Sequence, residues 1–269
     1  MNAISGRSPH QERVLSAGLE LARRFADTAK ALAAHPTIDS TLSEIVALAV
    51  ATVPGADAAG VTIVRDKVVE TPAATDDIVL ACDAAQYATG DGPCLRAMWQ
   101  DRTVRVDEMR TDDRWPRFAA RAASLGVRSM LACQLSGRQG TLSALNLYAY
   151  RPAMFDDHAR ELLLVFAAHA AIALESTQLE VDLRAAVNTR QDIGQAVGIL
   201  MERHKSTGEQ AFDLLVAASQ RLNVKLRVLA DVVVSTGMDP TRDRHAIARL
   251  ITIKQRIDRE AGEPEPEPV

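Results

Sequence analysis

Apolar side chains recur every three or four residues between His158 and His204, which is the spacing of one face of a helix. The stretch contains no proline, and a helix of this length spans roughly 70 Å, more than one small domain needs. The pattern therefore predicts one long helix that connects two domains. The face consists of Leu162, Val165, His169, Ile172, Ser176, Leu179, Leu183, Ala186, Arg190, Ile193, Val197 and Leu200.

An apolar seam of this length needs a cover, and a second copy of the same helix is the simplest one. The sequence thus predicts a homodimer with a parallel, coiled-coil helix pair. In the alternative interpretation, two shorter helices meet within this stretch, the last helix of one domain and the first helix of the next.

Helical and strand patterns alternate before the long helix. Helical spacing predicts a leading helix in residues 11–34, then a second helix that is capped by Asp39 or Ser40 and ends before Pro54. We predict helices at residues 79–89 and 117–124, and strands at 58–64, 67–70, 103–106, 129–135 and 142–150. A short link joins the last two strands, which favours an antiparallel hairpin and an α+β fold.

Composition restricts the classes of function. The 269 residues carry a net charge of -4, so binding of nucleic acid requires a local basic patch. Cys82, Cys94 and Cys133 lie far apart, and we predict free thiols and no metal site. No run approaches the ~20 apolar residues that span a bilayer, and we find no signal-peptide core, Walker loop or nucleophile elbow. We expect a soluble, cytoplasmic protein that does not contact membranes and is not an enzyme.

A loop with two glycines and a proline, residues 90–94, permits close backbone approach and starts a helix. Such a loop can line a ligand pocket, and the candidate lining residues are Tyr87, Cys94, Trp99, Trp115, Phe118 and Tyr148. Core packing is the alternative for each aromatic residue. Cys94 is either a redox or nitric-oxide sensor with a lowered thiol pKa or an inert buried residue. We predict no cofactor; haem needs a histidine in the pocket, whereas His35 and His158 lie at the domain edges and His169 lies on the seam of the long helix.

These motifs, in this order, resemble the GAF sensory domains of actinobacterial regulators over residues 36–177. The residues that carry the resemblance are 86–87, 89–94, 113–116, 126–129 and 142–150. The resemblance implies an antiparallel sheet with helices on one side, dimerisation through terminal helices, and a small ligand between sheet and loops. The identity of that ligand does not follow from the fold.

The end of the long helix leads into a compact helical pattern. Gly194 and Gly198 each cost about 1 kcal/mol relative to alanine, and we interpret them as sites where later helices pack closely. Overlapping capping boxes at Ser206 and Thr207 start a second helix. A third helix over residues 225–235 ends at Gly237, which predicts a three-helix unit.

Residues 188–237 resemble an ANTAR domain, a three-helix RNA-binding module of bacterial transcription antiterminators. The matching positions include Arg190, Ile193, Gln195, Ala196, 198–201, 211–212, Leu215, 219–220, Asn223, 225–227 and Ala230. Val197 and Val216 depart from the resemblance. Many members have lysine and arginine there, so two expected phosphate contacts are missing.

The candidate RNA-binding surface combines cations with polar side chains that can read bases in an RNA loop. It consists of Arg190, Arg203, Lys205, Ser219, Gln220, Asn223, Lys225 and Arg227. Solvation or helix capping is the alternative for each, and Asn223 suits a turn. Residues 238–260 predict an extra, arginine-rich helix that either extends this surface or packs back over the module.

The sequence predicts a dimeric, signal-responsive transcription antiterminator whose partners are hairpin RNA in a nascent transcript and an unidentified small molecule. The alternative is a dimeric sensor or scaffold whose helical module binds proteins, which Val197 and Val216 motivate. The predicted segments are an N-terminal helix (1–35), the sensor (36–177), the connecting helix (158–204), the RNA-binding module (188–237), the extra helix (238–260) and a disordered acidic tail (261–269).

Overall fold

The structure, a computed structural model, describes residues 19, 23, 26–32, 34–65, 67–135 and 142–260, without the side chains of 254, 255 and 257–260. The chain divides into two compact units, Met1–Val181 and Asp182–Val269. Residues 26–32 are helical. The rest of the predicted leading helix lies mostly outside the described residues, as does the predicted acidic tail.

A five-stranded antiparallel sheet with the order β2-β1-β5-β4-β3 forms the centre of the first unit. The strands are β1 (Ala58–Arg65), β2 (Val68–Ala74), β3 (Thr103–Val106), β4 (Ser129–Gln134) and β5 (Ser143–Ala149). β4 and β5 pair antiparallel, with Met130 opposite Tyr148, as predicted for a hairpin. The α+β fold class is confirmed.

The helices that pack against this sheet are α1 (Ile38–Thr52), α2 (Asp77–Thr89), α3 (Pro93–Trp99), α4 (Pro116–Ser124) and the first part of α5 (Asp157–His204). A short 3₁₀ helix lies at Met109–Thr111. The predicted cap of α1 is wrong, because Thr37 caps the helix through reciprocal hydrogen bonds with Ser40.

Helices cover both faces of the sheet, whereas the resemblance implied helices on one side. Leu145 and Leu147 of β5 belong to the core that α1 and α5 share. Ala144 and Tyr148, which alternate with them, belong to the core of α2, α3 and α4. All seven residues of β5 are buried, and a strand that is buried on both faces needs a cover on both.

α5 is one continuous helix from Asp157 to His204, so the predicted long helix is confirmed and the two-helix alternative is wrong. By length and composition alone α5 is apolar enough to cross a membrane, a test that the core helix of a soluble protein also passes. In its most apolar stretch, 44% of the residues are buried within the protein.

The second unit is helical in the part that the structure describes. The end of α5, α6 (Gly208–Leu222), α7 (Leu226–Thr236) and α8 (Arg244–Glu260) share one core. Thr207 and Gln210 form the predicted capping box of α6. Ile247 and Ile251 of α8 are buried, so α8 packs back onto the module and adds a fourth helix to a core predicted from three.

The predicted packing role of Gly194 and Gly198 is wrong. Both residues are exposed, and a Cβ added to either meets no atom within 4 Å. Ala196, between them, is the fully buried residue. Residues two positions apart point about 200° away from each other around a helix, so the glycines lie on the side opposite to the core.

We predict that Gly194→Ala and Gly198→Ala each raise the free energy of unfolding by about 0.5–1 kcal/mol, because alanine loses less backbone entropy in a helix. Urea unfolding followed by circular dichroism measures this. Gly237→Ala is the control and should destabilise, since Gly237 has a φ of +68° at the end of α7. A loss of stability on Gly194→Ala would show that the residue has a contact this fold does not contain.

Candidate functional sites

A group of polar side chains is buried in the core beneath α2, α3 and α4. Thr62 of β1, Asp83 and Gln86 of α2, and Asn146 of β5 have no exposed surface. Four further side chains bond to them or to one another. The group, called the polar cluster below, consists of Thr62, Thr71, Asp83, Gln86, Tyr87, Cys94, Asn146 and Tyr148.

Asp83 lies at the centre of the polar cluster. Its Oδ1 accepts hydrogen bonds from the Tyr148 hydroxyl and, at 3.2 Å, from Gln86 Nε2, and its Oδ2 accepts one from Thr71 Oγ1 at 2.8 Å. These donors are neutral, so the charged carboxylate has lost water without gaining a cation. Burial therefore raises the pKa of Asp83 to about 6, although the hydrogen bonds act to lower it.

Thr62 Oγ1 connects the other members. It accepts hydrogen bonds from Asn146 Nδ2 at 3.0 Å and from Cys94 Sγ at 3.2 Å, and it lies 2.9 Å from the Tyr87 hydroxyl. Burial raises the pKa of the Cys94 thiol to about 12, so the reactive thiolate is absent at neutral pH. The geometry fits the interpretation of Cys94 as an inert buried residue and not as a redox sensor.

Three of the six predicted pocket residues, Tyr87, Cys94 and Tyr148, come together in the polar cluster. Trp115 and Phe118 are buried in the same core, as the packing alternative predicts. Trp99, the last residue of α3, is 50% exposed and stands apart from that core.

Sequence reasoning missed five members of the polar cluster: Thr62, Thr71, Asp83, Gln86 and Asn146. A usable signal was present in α2, where Val79, Cys82, Asp83 and Gln86 follow the spacing of one buried helix face. A carboxylate and an amide on such a face indicate a buried polar site, because these groups are rarely buried without partners.

The polar cluster contains one unused acceptor. Asn146 Oδ1 is buried and accepts no hydrogen bond from a described residue, while Asn146 Nδ2 lies 3.5 Å from Asp83 Oδ1. A protonated Asp83 carboxyl has a hydrogen to donate, and exchange of the amide oxygen and nitrogen would bring the unused acceptor to it. The arrangement can therefore hold a proton near pH 6.

We predict a pH-dependent effect of Asp83→Asn. The folded state binds the Asp83 proton more tightly than the unfolded state, whose pKa is near the ordinary value of 3.8. Wild-type stability from this group is thus greatest below about pH 4 and falls by about 3 kcal/mol as the pH rises to about 6. The stability of the variant relative to wild type should rise by that amount over the same range, as measured by urea unfolding.

The control for this experiment is Asp77→Asn, in the exposed first turn of the same helix. Its stability difference from wild type should change little between about pH 4 and 7, since only a local helix-end effect is lost. A difference for Asp83→Asn that is equally flat would contradict the raised pKa.

In the second unit, polar and basic side chains meet at the turn between α6 and α7. Asn223 ends α6 with a φ of +53°, Lys225 is the N-cap of α7, and Arg227 lies in its first turn. These three and Gln220 are exposed. α7 begins without a side-chain cap, and uncapped N–H groups beside two cations favour an anion.

The other predicted RNA-binding residues differ in exposure and in their bonding partners. Ser219 is 8% exposed, and its hydroxyl donates to the Val224 carbonyl at 2.6 Å, which stabilises the turn. Asn223 has the turn role that was its alternative. Lys205 forms an ion pair with Glu202, and Arg190 is exposed on α5.

Arg203 is exposed at the end of α5, where it lines an open groove of about 720 Å³. The other lining residues are Gln195, Gly198, Ile199, Glu202 and Val234. Val197, where many ANTAR domains have lysine, packs against the core of this unit.

Two family models match the chain. Residues 35–175, more than half of the sequence, match the GAF domain, and residues 181–234 match the ANTAR domain. No curated protein matches the sequence.

Solved structures are similar to this chain at low sequence identity. A bacteriophytochrome from the photosynthetic bacterium R. palustris aligns with a TM-score of 0.52 and 9% identity, over 74% of this chain and 47% of that one. The GAF domain of a phosphoenolpyruvate-protein phosphotransferase from Coxiella burnetii has a TM-score of 0.46 and 14% identity over 61% and 98%. A type II free methionine-R-sulfoxide reductase from Thermoplasma acidophilum has a TM-score of 0.40 and 14% identity over 52% and 94%.

Proposed function

Because the chain belongs to the family in which a GAF domain is followed by an ANTAR domain, we propose that it is a signal-responsive transcription antiterminator that binds hairpin RNA. The observation that carries the proposal is the order of the two matches, which meet within the single helix α5. Sensor domains and RNA-binding domains are regulatory, so the proposal includes no catalytic step. The protein acts in the cytoplasm on nascent transcripts and is not an enzyme.

The turn between α6 and α7 supports a phosphate contact. Lys225 and Arg227 are exposed beside the uncapped N-terminus of α7, and Gln220 and Asn223 offer donors and acceptors next to them. Cations hold the RNA backbone without regard to sequence, while amide side chains can read base edges in a loop. Ser219 is left to stabilise the turn.

Val197 and Val216 remove two cations that the resemblance leads one to expect. Since Val197 packs against the core of the helical unit, a lysine there would have to leave that core or be buried. The binding energy therefore depends more heavily on the cations that remain, with Arg190 and Arg203 of α5 in addition to Lys225 and Arg227.

We propose a homodimer through the central part of the α5 seam. Val165, Ile172, Leu179 and Leu183 of the seam are 43–66% exposed in the single chain, and Val187 beside the seam is 55% exposed. The ends of the seam are already covered, because Leu162 is buried and Leu200 lies in the core of the second unit. A run of exposed apolar residues spaced by seven or four residues along one side of a helix is a surface that a coiled coil can bury.

The signal passes from the GAF core to α5 through the sheet. Asn146 and Tyr148 of β5 belong to the polar cluster, while Leu145 and Leu147 of the same strand contact the core that α5 shares. A ligand or charge change at the polar cluster can thus bias the position of β5 against α5. The response is a change in register or dimer state of the paired helices.

We predict that Lys225→Gln combined with Arg227→Gln weakens binding of RNA about tenfold at about 0.15 M salt. Loss of two phosphate contacts should also reduce the slope of log affinity against log salt by roughly 1.5. Fluorescence anisotropy measures both, with a two-hairpin RNA that the wild-type protein selects from a library with randomised loops.

The control for this experiment is Arg117→Gln combined with Arg121→Gln, two exposed arginines one turn apart on α4 of the first unit. It changes the net charge equally and should leave RNA affinity within about twofold. If the wild type shows no salt-dependent RNA binding and captures partner proteins after ribonuclease treatment, the scaffold alternative replaces this proposal.

We predict that Leu179→Glu combined with Leu183→Glu converts the dimer to a monomer, since four buried charges in the paired seam would repel one another. Analytical ultracentrifugation measures the mass. Ala185→Glu combined with Asn188→Glu places the same charges on the opposite side of α5 and should leave the dimer intact. A monomeric wild type would refute the proposed assembly.

A further inference from the structure

The helix α8 lies outside both family matches, since the ANTAR match ends at residue 234. It is nonetheless an integral part of the second unit. Ile247 and Ile251, one turn apart, are at most 2% exposed and belong to the same core as Leu215 and Leu229. The position of α8 on the module is therefore fixed by apolar burial on one of its faces.

Polar contacts fix the start of α8 as well. Asp239 is buried, and its Oδ1 accepts hydrogen bonds from the Thr241 N–H at 2.9 Å and the Thr241 hydroxyl at 2.7 Å. Its Oδ2 lies 2.8 Å from Nε2 of His204, the last residue of α5. Asp243 Oδ2 accepts from the Asp239 N–H at 2.9 Å. The segment that leads into α8 is thus tied to the end of α5.

The helix α8 is basic in an acidic protein, and two of its arginines lie on its outer face. The helix itself (Arg244–Glu260) contains five lysines or arginines, one aspartate and one glutamate, whereas the whole chain has a net charge of -4. Arg242, Arg244, Arg249 and Arg256 are exposed. Helical periodicity places Arg249 and Arg256 on the side opposite to Ile247 and Ile251, seven residues apart.

Three of the four exposed arginines in α8 and just before it are not used in ion pairs among the described residues. Arg242, Arg244 and Arg249 form no ion pair with any residue that the structure describes. Clustered like charges repel one another, so the face gains stability when an anionic surface covers it. Guanidinium groups match phosphate oxygens in bidentate geometry, and their spacing along a helix suits a polyanionic chain.

We propose that the outer face of α8 is a second RNA contact, which binds backbone phosphates beyond the hairpin loop that the ANTAR domain recognises. The proposal rests on the proposed function, because it extends the footprint of the same RNA. Contacts to phosphates position the RNA and add affinity without reading sequence. The arginine-rich helix compensates in this way for the cations missing at Val197 and Val216.

The test is Arg249→Gln combined with Arg256→Gln in the full chain, with the selected two-hairpin RNA described above. Affinity should fall about tenfold at about 0.15 M salt, and the salt slope should fall by roughly 1.5. The loop sequences that the protein selects should stay the same, since no base contact is lost. The matched control is again Arg117→Gln combined with Arg121→Gln.

A second variant separates charge from folding. Arg249→Lys combined with Arg256→Lys keeps both cations and should retain the salt slope, with a loss of affinity of threefold or less. If the lysine pair weakens RNA binding as much as the glutamine pair, the effect is structural and the proposal is wrong.

The outcomes also separate this proposal from the proposed function. If the glutamine pair on α8 binds RNA like the control while Lys225→Gln with Arg227→Gln loses binding, α8 is not an RNA contact and the antiterminator proposal stands. If the wild type binds no RNA, both proposals fail. Ribonuclease-resistant capture of an acidic protein that depends on Arg249 and Arg256 would assign the face to a protein partner instead.

Discussion

The need to cover both faces of strand β5 shapes the first unit. β5 lies in the middle of the sheet, and all seven of its residues are buried. One face is covered by α1 and the first part of α5, and the other by α2, α3 and α4. Because α5 is needed for the core of the sensor, the helix that continues into the second unit cannot shift without disturbing that core.

The face of the sheet that α2, α3 and α4 cover contains polar groups as well as apolar ones. Its core includes a carboxylate whose bonding partners are neutral hydroxyl and amide groups. Burial of a charged carboxylate without a neighbouring cation is energetically unfavourable. The pKa of Asp83 is therefore raised, and the carboxyl group more readily holds a proton. The core beneath α2, α3 and α4 thus contains a carboxyl group whose charge changes near pH 6, while the face against α5 is apolar.

Periodicity predicted the elements well and their surroundings less well. The strand Thr103–Val106 and the extent of α5 follow from local apolar spacing, which the sequence displays directly. The prediction for Gly194 and Gly198 was wrong because a glycine in a helix does not by itself indicate whether its side of the helix faces another helix or solvent. Asp83 was missed because a single polar residue in a helix usually faces water, and only its register with Val79 and Cys82 shows otherwise.

Because Ile247 and Ile251 are buried in the second unit, the segment that folds together is longer than the segment that matches the ANTAR family, which ends at residue 234. A chain shortened at residue 234 would keep every matched position and still expose the hydrophobic surface that α8 covers. A fusion protein that contains only the matched residues would therefore lack a helix of the hydrophobic core. In this chain the folded module therefore extends one helix beyond the residues that match the family.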